Sequence, residues 1–489
     1  MKIQKEIPFW PMMLTVFLGS FVVMLSSSTI NIALPYLMET FNADLDTTKW
    51  AVTGFMLTMG TTAPMAAFIG EKISYKRLYL TSIAGFAFVS LFAVFSSNIY
   101  MLIIIRILQG LFGGVTVPAT MAIIYQVIPK EKQVTAISLW SIAPTLAPAV
   151  GPTLSGFLIQ YFGWKGIFII NIPFGIIAII LGIIYMPYYK LNNTKTFDIL
   201  GIVSCVIASA SLLFAFSESS AFGWKSPSII SLLILGAASL VIFIRWELHT
   251  QTPFLNLRTF KYPKFVFGVI IGGVINIALY SGTFMAPIYL QNIQGMAPLD
   301  SALVLLPASI LMAVLMPFVG KLYNRIGPRP LIILGVLFVS IGTWRMSSLS
   351  IDTARSYIRG WMALRYIGLA LATMPAAYAG MAILPKEISG HGSSINNWTK
   401  QILACFSIGI FTSILTSRVS YHCSQLINLT ASSSAQAIKA TGYVMGINDV
   451  YSISCIIILA ALPFAFFFKK EKIVPPTQTE LSMSERQEH

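Results

Sequence analysis

Apolar runs of about twenty residues recur along this chain from Met12 to Phe468, and no other feature constrains its folding as much. The hydrocarbon core of a bilayer is about 30 Å thick and a helix rises about 1.5 Å per residue, so each run is long enough to cross it. In lipid every backbone N–H and C=O must be satisfied within the chain, so such runs become helices. The expected class is an all-α polytopic membrane protein. Fourteen spans are predicted, at 12–37, 49–69, 78–96, 101–126, 134–160, 165–186, 198–217, 228–246, 265–291, 301–319, 330–348, 357–382, 393–417 and 449–468. Composition agrees: 10% of the 489 residues are charged, against roughly 25% in a soluble protein.

An even number of spans puts both termini on one side, and the basic residues choose which. With the termini cytoplasmic, 21 of the 32 Lys and Arg fall in inner segments and 8 in outer ones, while Arg106, Arg365 and Lys400 lie inside spans. Insertion physics demands that asymmetry. It accounts for the net charge of +15 without nucleic acid. Lys2 and Lys5 precede an apolar run with no small-residue cleavage site, so the run reads as a first span and not a signal peptide.

The remaining chemistry-bearing residues point away from catalysis. Cys205, Cys405 and Cys455 fall in spans and Cys423 in a polar loop, which implies no disulfide framework. His249, His391, His422 and His489 are expected in loops and the tail, without metal-ligand spacing. No G-x-x-x-x-G-K-[ST] loop is present. No metal, no cofactor and no enzymatic activity are expected.

An internal repeat is visible in two loops. Residues 67–77 (AFIGEKISYKR) follow the second span and residues 320–329 (GKLYNRIGPR) the tenth, each with an acid or amide, then a cation, a turn residue and more cations. Such repeats fit a transporter of two similar halves with a midplane site between them. The expected division is a six-helix half at 1–190, two inserted helices and a connector at 191–260, a second six-helix half at 261–470, and a cytoplasmic tail at 471–489.

Arg106 is several residues into an apolar span, where a charge costs roughly 2.5–3.5 kcal/mol and faces a cavity or a partner unless it snorkels to the interface. Gln109 shares its helix face at i+3. In the fifth span Pro148, Gly151, Pro152 and Gly156 combine missing backbone donors with small residues, a recipe for a bent helix that packs closely, although membrane helices tolerate both. Glu71 and Lys72 sit where the second span meets the inner surface, as a surface ion pair or as a latch between half-bundles.

These motifs together resemble the fourteen-span drug/proton antiporter branch (EmrB/QacA-like) of the major facilitator superfamily, over almost the whole chain. Met24–Pro35 is similar to its first-span signature, with Asn31 and Pro35 matching. Arg106–Gly110 resembles the fourth-span Arg motif and Ala147–Gly156 the fifth-span antiporter motif. Trp164, Phe168, Asn171, Pro173 and Gly175, then Glu247, Pro253 and Leu257, then Gly390, Gly392, Ser393 and Gln401, match further runs in order. The resemblance implies alternating access and proton-driven export of lipophilic compounds from a bacterial cell membrane. It implies a coupling and substrate cavity at Ser26, Asn31, Arg106 and Gln109, and an inner latch of Glu71, Lys72, Arg77, Asn324 and Arg325. The chain departs from the pattern at Ser26, where many relatives carry a carboxylate, and at Glu71, Ser74, Ser155 and Asn324.

All 17 acids fall in loops, tails or span ends, so a cavity with cations and no mid-depth carboxylate should disfavour a dicationic substrate. Proton binding would then use an acid nearer a surface, Glu71 or Glu218, where span-end burial raises a carboxyl toward neutrality. The expected partners are the lipid bilayer, a small amphipathic substrate and protons; a periplasmic adaptor is left open. A dedicated exporter of one endogenous metabolite, lipid or antibiotic, and a membrane scaffold with no transport cycle, are the competing readings.

Overall fold

A computed structural model of the chain describes residues 8–188, 198–429 and 435–468, and every regular element among them is helical. The long helices are α1 (Phe9–Phe41), α2 (Trp50–Thr62), α3 (Met65–Ile73), α4 (Tyr75–Ala93), α5 (Ile99–Val127), α6 (Lys130–Phe162) and α7 (Asn171–Tyr185). Next come α8 (Ile199–Phe222) and α9 (Pro227–His249). A second series follows as α10 (Pro263–Asn292), α11 (Pro298–Ile326), α12 (Pro328–Met346), α13 (Arg355–Met381), α14 (Ser389–Leu429) and α15 (Ala435–Leu459). The expected boundary at 190/191 and the tail at 471–489 lie outside the described residues.

The expected second span is broken. Between α2 and α3 the axis turns by 57° at Ala63-Pro64, because proline removes a backbone donor and crowds the preceding turn. Among the described residues ten helices are long and apolar enough to cross a membrane, or eleven with the α2–α3 pair taken as one span, against the fourteen spans expected. Outside that count are α4, which opens on Tyr-Lys-Arg, α13, which carries Arg355, Arg359 and Arg365, and α6, which includes positions outside the described residues.

Two other expectations shift for an electrostatic reason. α14 runs for 41 residues and α15 begins at Ala435, both well beyond the apolar runs. The extensions hold each other: Arg418 Nε and His422 Nε2 of α14 meet the same Oδ2 of Asp449 on α15, at 2.5 and 2.8 Å. His391, His422 and Cys423 are therefore helical residues of α14 and not loop residues.

Packing follows the repeat. Within the first series α1 lies on α6 and α7, and α5 on α2 and α4; within the second, α13 lies on α10, α11 and α12, and α14 on α10 and α15. Small and branched side chains let these helices approach without a hydrophobic force between them, since lipid is as apolar as leucine. The two series meet along α6 and α11, from Ser138 beside Gly320 to Gly156 beside Leu299. They meet again where α14 lies against α3 and α5.

The pair α8–α9 covers that second seam. The Trp50 ring of α2 lies 5.5 Å from that of Phe214 on α8, tilted by 36°, and Lys49 pairs with Glu218 at 3.2 Å. On the other flank Trp398 and Ser413 of α14 bond Ser209 and Trp224, at 2.8 and 2.6 Å. Glu218, expected in a loop or at a span end, is buried within α8.

Candidate substrate and coupling site

The end of the bundle where α1 begins also holds the start of α6, with Lys132 Nζ 6.0 Å from the Phe9 ring. It is called the near end below. Three features draw the two helix series together there. Ser393 of α14 donates to the carbonyl of Pro118 on α5 at 2.8 Å. Tyr125 of α5 stacks on Tyr378 of α13, which meets Tyr323 of α11 edge-on.

The third is Glu71, at the end of α3, whose Oε1 lies 2.8 Å from Nε2 of His391 at the start of α14. The backbone N–H of Asn256, in the connector after α9, donates to His391 Nδ1 at 3.1 Å. Nδ1 is thus an acceptor, so Nε2 carries the proton and donates it to the carboxylate. Both side chains are buried. One imidazole joins the first series, the connector and the second series.

The other latch candidates sit differently. Lys72, Arg77, Asn324 and Arg325 are exposed; Lys72 lies over Phe68 of its own helix at 5.8 Å and Arg77 over Tyr188 at 5.1 Å.

Arg106 is enclosed and not on an open cavity wall, with 1% of its surface exposed. Its Nε donates to the carbonyl of Ala51 at 2.9 Å and its Nη1 to Ser26 Oγ at 3.1 Å and Gln109 Oε1 at 3.0 Å. The guanidinium also lies 4.1 Å over the Phe55 ring. Gln109 passes the network to Ser90 at 2.7 Å, and Asn171 reaches both Ser26 and Ser90. Ser26, Arg106 and Gln109 thus form one buried cluster of neutral acceptors around a cation, which meets the cost of burying it. Asn31 is apart from them and exposed, donating to Ser28 O at 3.4 Å.

The second series repeats the arrangement. Arg365 is on α13, the counterpart of α5, and is fully buried. Its Nε donates to Thr343 Oγ1 at 2.8 Å, and its Nη2 to Ser281 Oγ at 2.6 Å and the carbonyl of Ala278. Both arginines therefore bond a serine of the first helix of their own series. Arg365 is legible in the sequence as a cation within an apolar run, whereas Ser90, Ser281 and Thr343 carry no signal of their own.

In α6, Gly151 lies against α1. A Cβ there would come 1.9 Å from Ser28 Oγ, which donates to the carbonyl of Ala147. Ser155 donates to Thr29 O at 2.7 Å, and Gly156 has only Leu299 nearby at 3.6 Å. The side chains of Pro148 and Pro152 lie outside the described residues.

A bundle of two related helix series, each with a buried arginine on a corresponding helix and joined by contacts between their helices, is the architecture of a membrane transporter. The chain belongs to the Major Facilitator Superfamily, whose sequence profile matches residues 16–408. It is 28% identical to the lincomycin resistance protein LmrB of Bacillus subtilis (strain 168), over 96% of this chain and 98% of that protein. It is 27% identical to the tetracenomycin C resistance and export protein of Streptomyces glaucescens, over 84% of this chain and 76% of that one. Among solved structures, the human organic anion transporter MFSD10 superposes with a TM-score of 0.62 at 12% identity, over 93% of this chain and all of that one, which shows the shared fold. Such relatives are transporters and not enzymes.

Proposed function

We propose that this chain exports small amphipathic compounds across a bacterial cell membrane, by alternating access driven by inward proton flow. The observation that carries the reading is the Glu71–His391 contact, a buried polar link between the two helix series at one end of the bundle. Alternating access needs such an end-specific link, made in one state and broken in the other. The antibiotic resistance and export named for the relatives support export as its direction.

On this reading α4, α6 and α13 also cross the bilayer, which gives the fourteen spans of the drug/proton antiporter branch. Residues 1–190 and 261–470 are the rocking halves, 191–260 the inserted pair and connector, and both termini are cytoplasmic. The near end is then the cytoplasmic end. Proton binding falls to Glu71 with its His391 partner, or to Glu218 with Lys49.

The test is efflux in a pump-deleted bacterial host, followed by uptake into inverted vesicles with an imposed pH gradient. Amphipathic antibiotics should be exported by the wild type, and Glu71→Gln with Glu218→Gln together should abolish the response to the gradient. No export of any compound across a broad panel would overturn the reading. Gradient-driven export that survives both substitutions would remove both acids from proton coupling.

A further inference from the structure

Lys400 lies eleven residues into α14, about 17 Å from the helix start and so near the middle of the bundle's thickness. It differs from the other two span cations. Arg106 and Arg365 are bonded to acceptors of their own series, whereas among the described residues the Lys400 ammonium has neither an ion pair nor a hydrogen-bond acceptor. An unpaired ammonium at that depth is costly and marks a site for an anionic partner.

A second group faces the same way. Asn396, one helical turn before Lys400, is 4% exposed, and its buried Nδ2 has no acceptor. Residues at i and i+4 share a helix face, and this face lies against Gly272 of α10. A Cβ added at Gly272 would sit 3.7 Å from Lys400 Cε and 3.8 Å from Asn396 Oδ1, so the glycine leaves room beside both. Asn276, one turn further along α10, donates to the carbonyl of Lys400 at 2.8 Å and fixes the two helices in register.

The neighbouring face of α14 looks across to the first series. Ser393 bonds Pro118 O, Asn397 lies 4.0 Å from Met121 Sδ, and Gln401 borders Gly60 of α2. Asn396 and the half-buried Lys400 therefore stand where α10 and α14 adjoin the seam between the series.

We propose that Asn396 and Lys400 bind the carboxylate of the exported amphiphile, with Lys400 supplying the charge and Asn396 a directed N–H donor. This rests on the export reading and names its substrate class: amphiphiles with one carboxylate, bound between the halves. A carboxylate accepts from both donors at once, and charge-assisted bonds of this kind are about twice as strong as neutral ones. Dications meet an unpaired cation there and are excluded.

The test is binding by the full-length protein in phosphatidylcholine nanodiscs, with dansyl-phenylalanine and its primary amide as matched probes. Energy transfer from the nine tryptophans reads binding, its loss in Trp398→Phe assigns the signal to the tryptophan two residues from Lys400, and empty nanodiscs correct for partitioning. The wild type should prefer the carboxylate. Lys400→Gln should lower that preference about tenfold and Asn396→Ala by a smaller factor, while Lys400→Arg should keep most of it. An unchanged preference in both Lys400→Gln and Asn396→Ala overturns the proposal, as does a wild type that does not distinguish the probes. Loss of the wild-type preference when phosphatidylglycerol is added assigns the donors to a lipid headgroup and also overturns it. Lys400-dependent binding without export of any compound would overturn the export reading alone, and export without that dependence this site alone.

Discussion

Ser74 and Gly327 occupy the same turn of the two repeats, and both have left-handed backbone, with φ of 92° and 84°. Each ends the second span of its series and opens the third, between α3 and α4 and between α11 and α12. Glycine takes that conformation freely, whereas a serine Cβ is crowded there. The repeat read from the two loop sequences is thus a repeat of backbone geometry, and one copy carries strain.

Replacing Ser74 by glycine should relieve that strain. A residue held in such a region costs about 1–3 kcal/mol, and glycine's added freedom in the unfolded chain returns less than that. Ser74→Gly should therefore raise the thermal midpoint of the purified protein by a few degrees. Gly327→Ser should lower it. An unchanged or lower midpoint for Ser74→Gly would show that the turn is not strained.

Breaking the Glu71–His391 contact should open the near end. Removing the imidazole takes a donor from a buried carboxylate, at about 1–3 kcal/mol, or roughly tenfold in a two-state equilibrium. A single cysteine at Ser393, buried beside Pro118, should then react with maleimide about tenfold faster in a His391→Ala background. Equal rates in the two backgrounds would mean that the contact does not hold this end together.

Arg106→Ala should lose both export and stability. Ala51 O, Ser26 Oγ and Gln109 Oε1 would each lose a buried donor, and unsatisfied groups cost about 1–3 kcal/mol apiece. Arg106→Lys should be partly active, because one ammonium does not reproduce the guanidinium fork. Ser26→Asp should restore a charged partner beside Nη1 and improve export of monocationic over anionic dyes. Wild-type melting and export by Arg106→Ala would leave the cluster without a role.

The two glycines of α6 should respond unequally to alanine. At Gly151 the new methyl meets Ser28 Oγ, so α1 and α6 must separate or Ser28 must give up its bond to Ala147 O. At Gly156 the nearest atom, Leu299 Cδ1, is at ordinary contact distance. Export in whole cells should fall severalfold for Gly151→Ala and stay near wild type for Gly156→Ala; the reverse order would show that α6 moves against α11 and not α1.

The sidedness of the bundle can be read chemically. Cysteines at the exposed positions Arg325 and Lys225 should label from opposite faces, Arg325→Cys only when the reagent crosses the membrane. Labelling of both from outside would break the alternation of spans.

Much of the architecture was legible in the chain, because lipid leaves a long apolar run one way to satisfy its backbone. Helix content, the repeat and the buried arginine all follow from local pattern. Where pattern fails, the cause is a partner distant in sequence. Asp449 holds α14 and α15 in helix past their apolar runs, and Pro64 breaks one run into two helices. Arg106 reads as a cavity residue from its insertion cost alone, yet Ser26 and the Ala51 carbonyl come from 80 and 55 residues away to enclose it. His391 reads as a loop histidine until Glu71 and Asn256 converge on its two nitrogens. Lys400 was visible as a charge in a span, but its lack of an acceptor, beside Asn396, was not. Hydropathy fixes which segments enter the membrane; tertiary packing decides which polar groups are satisfied there.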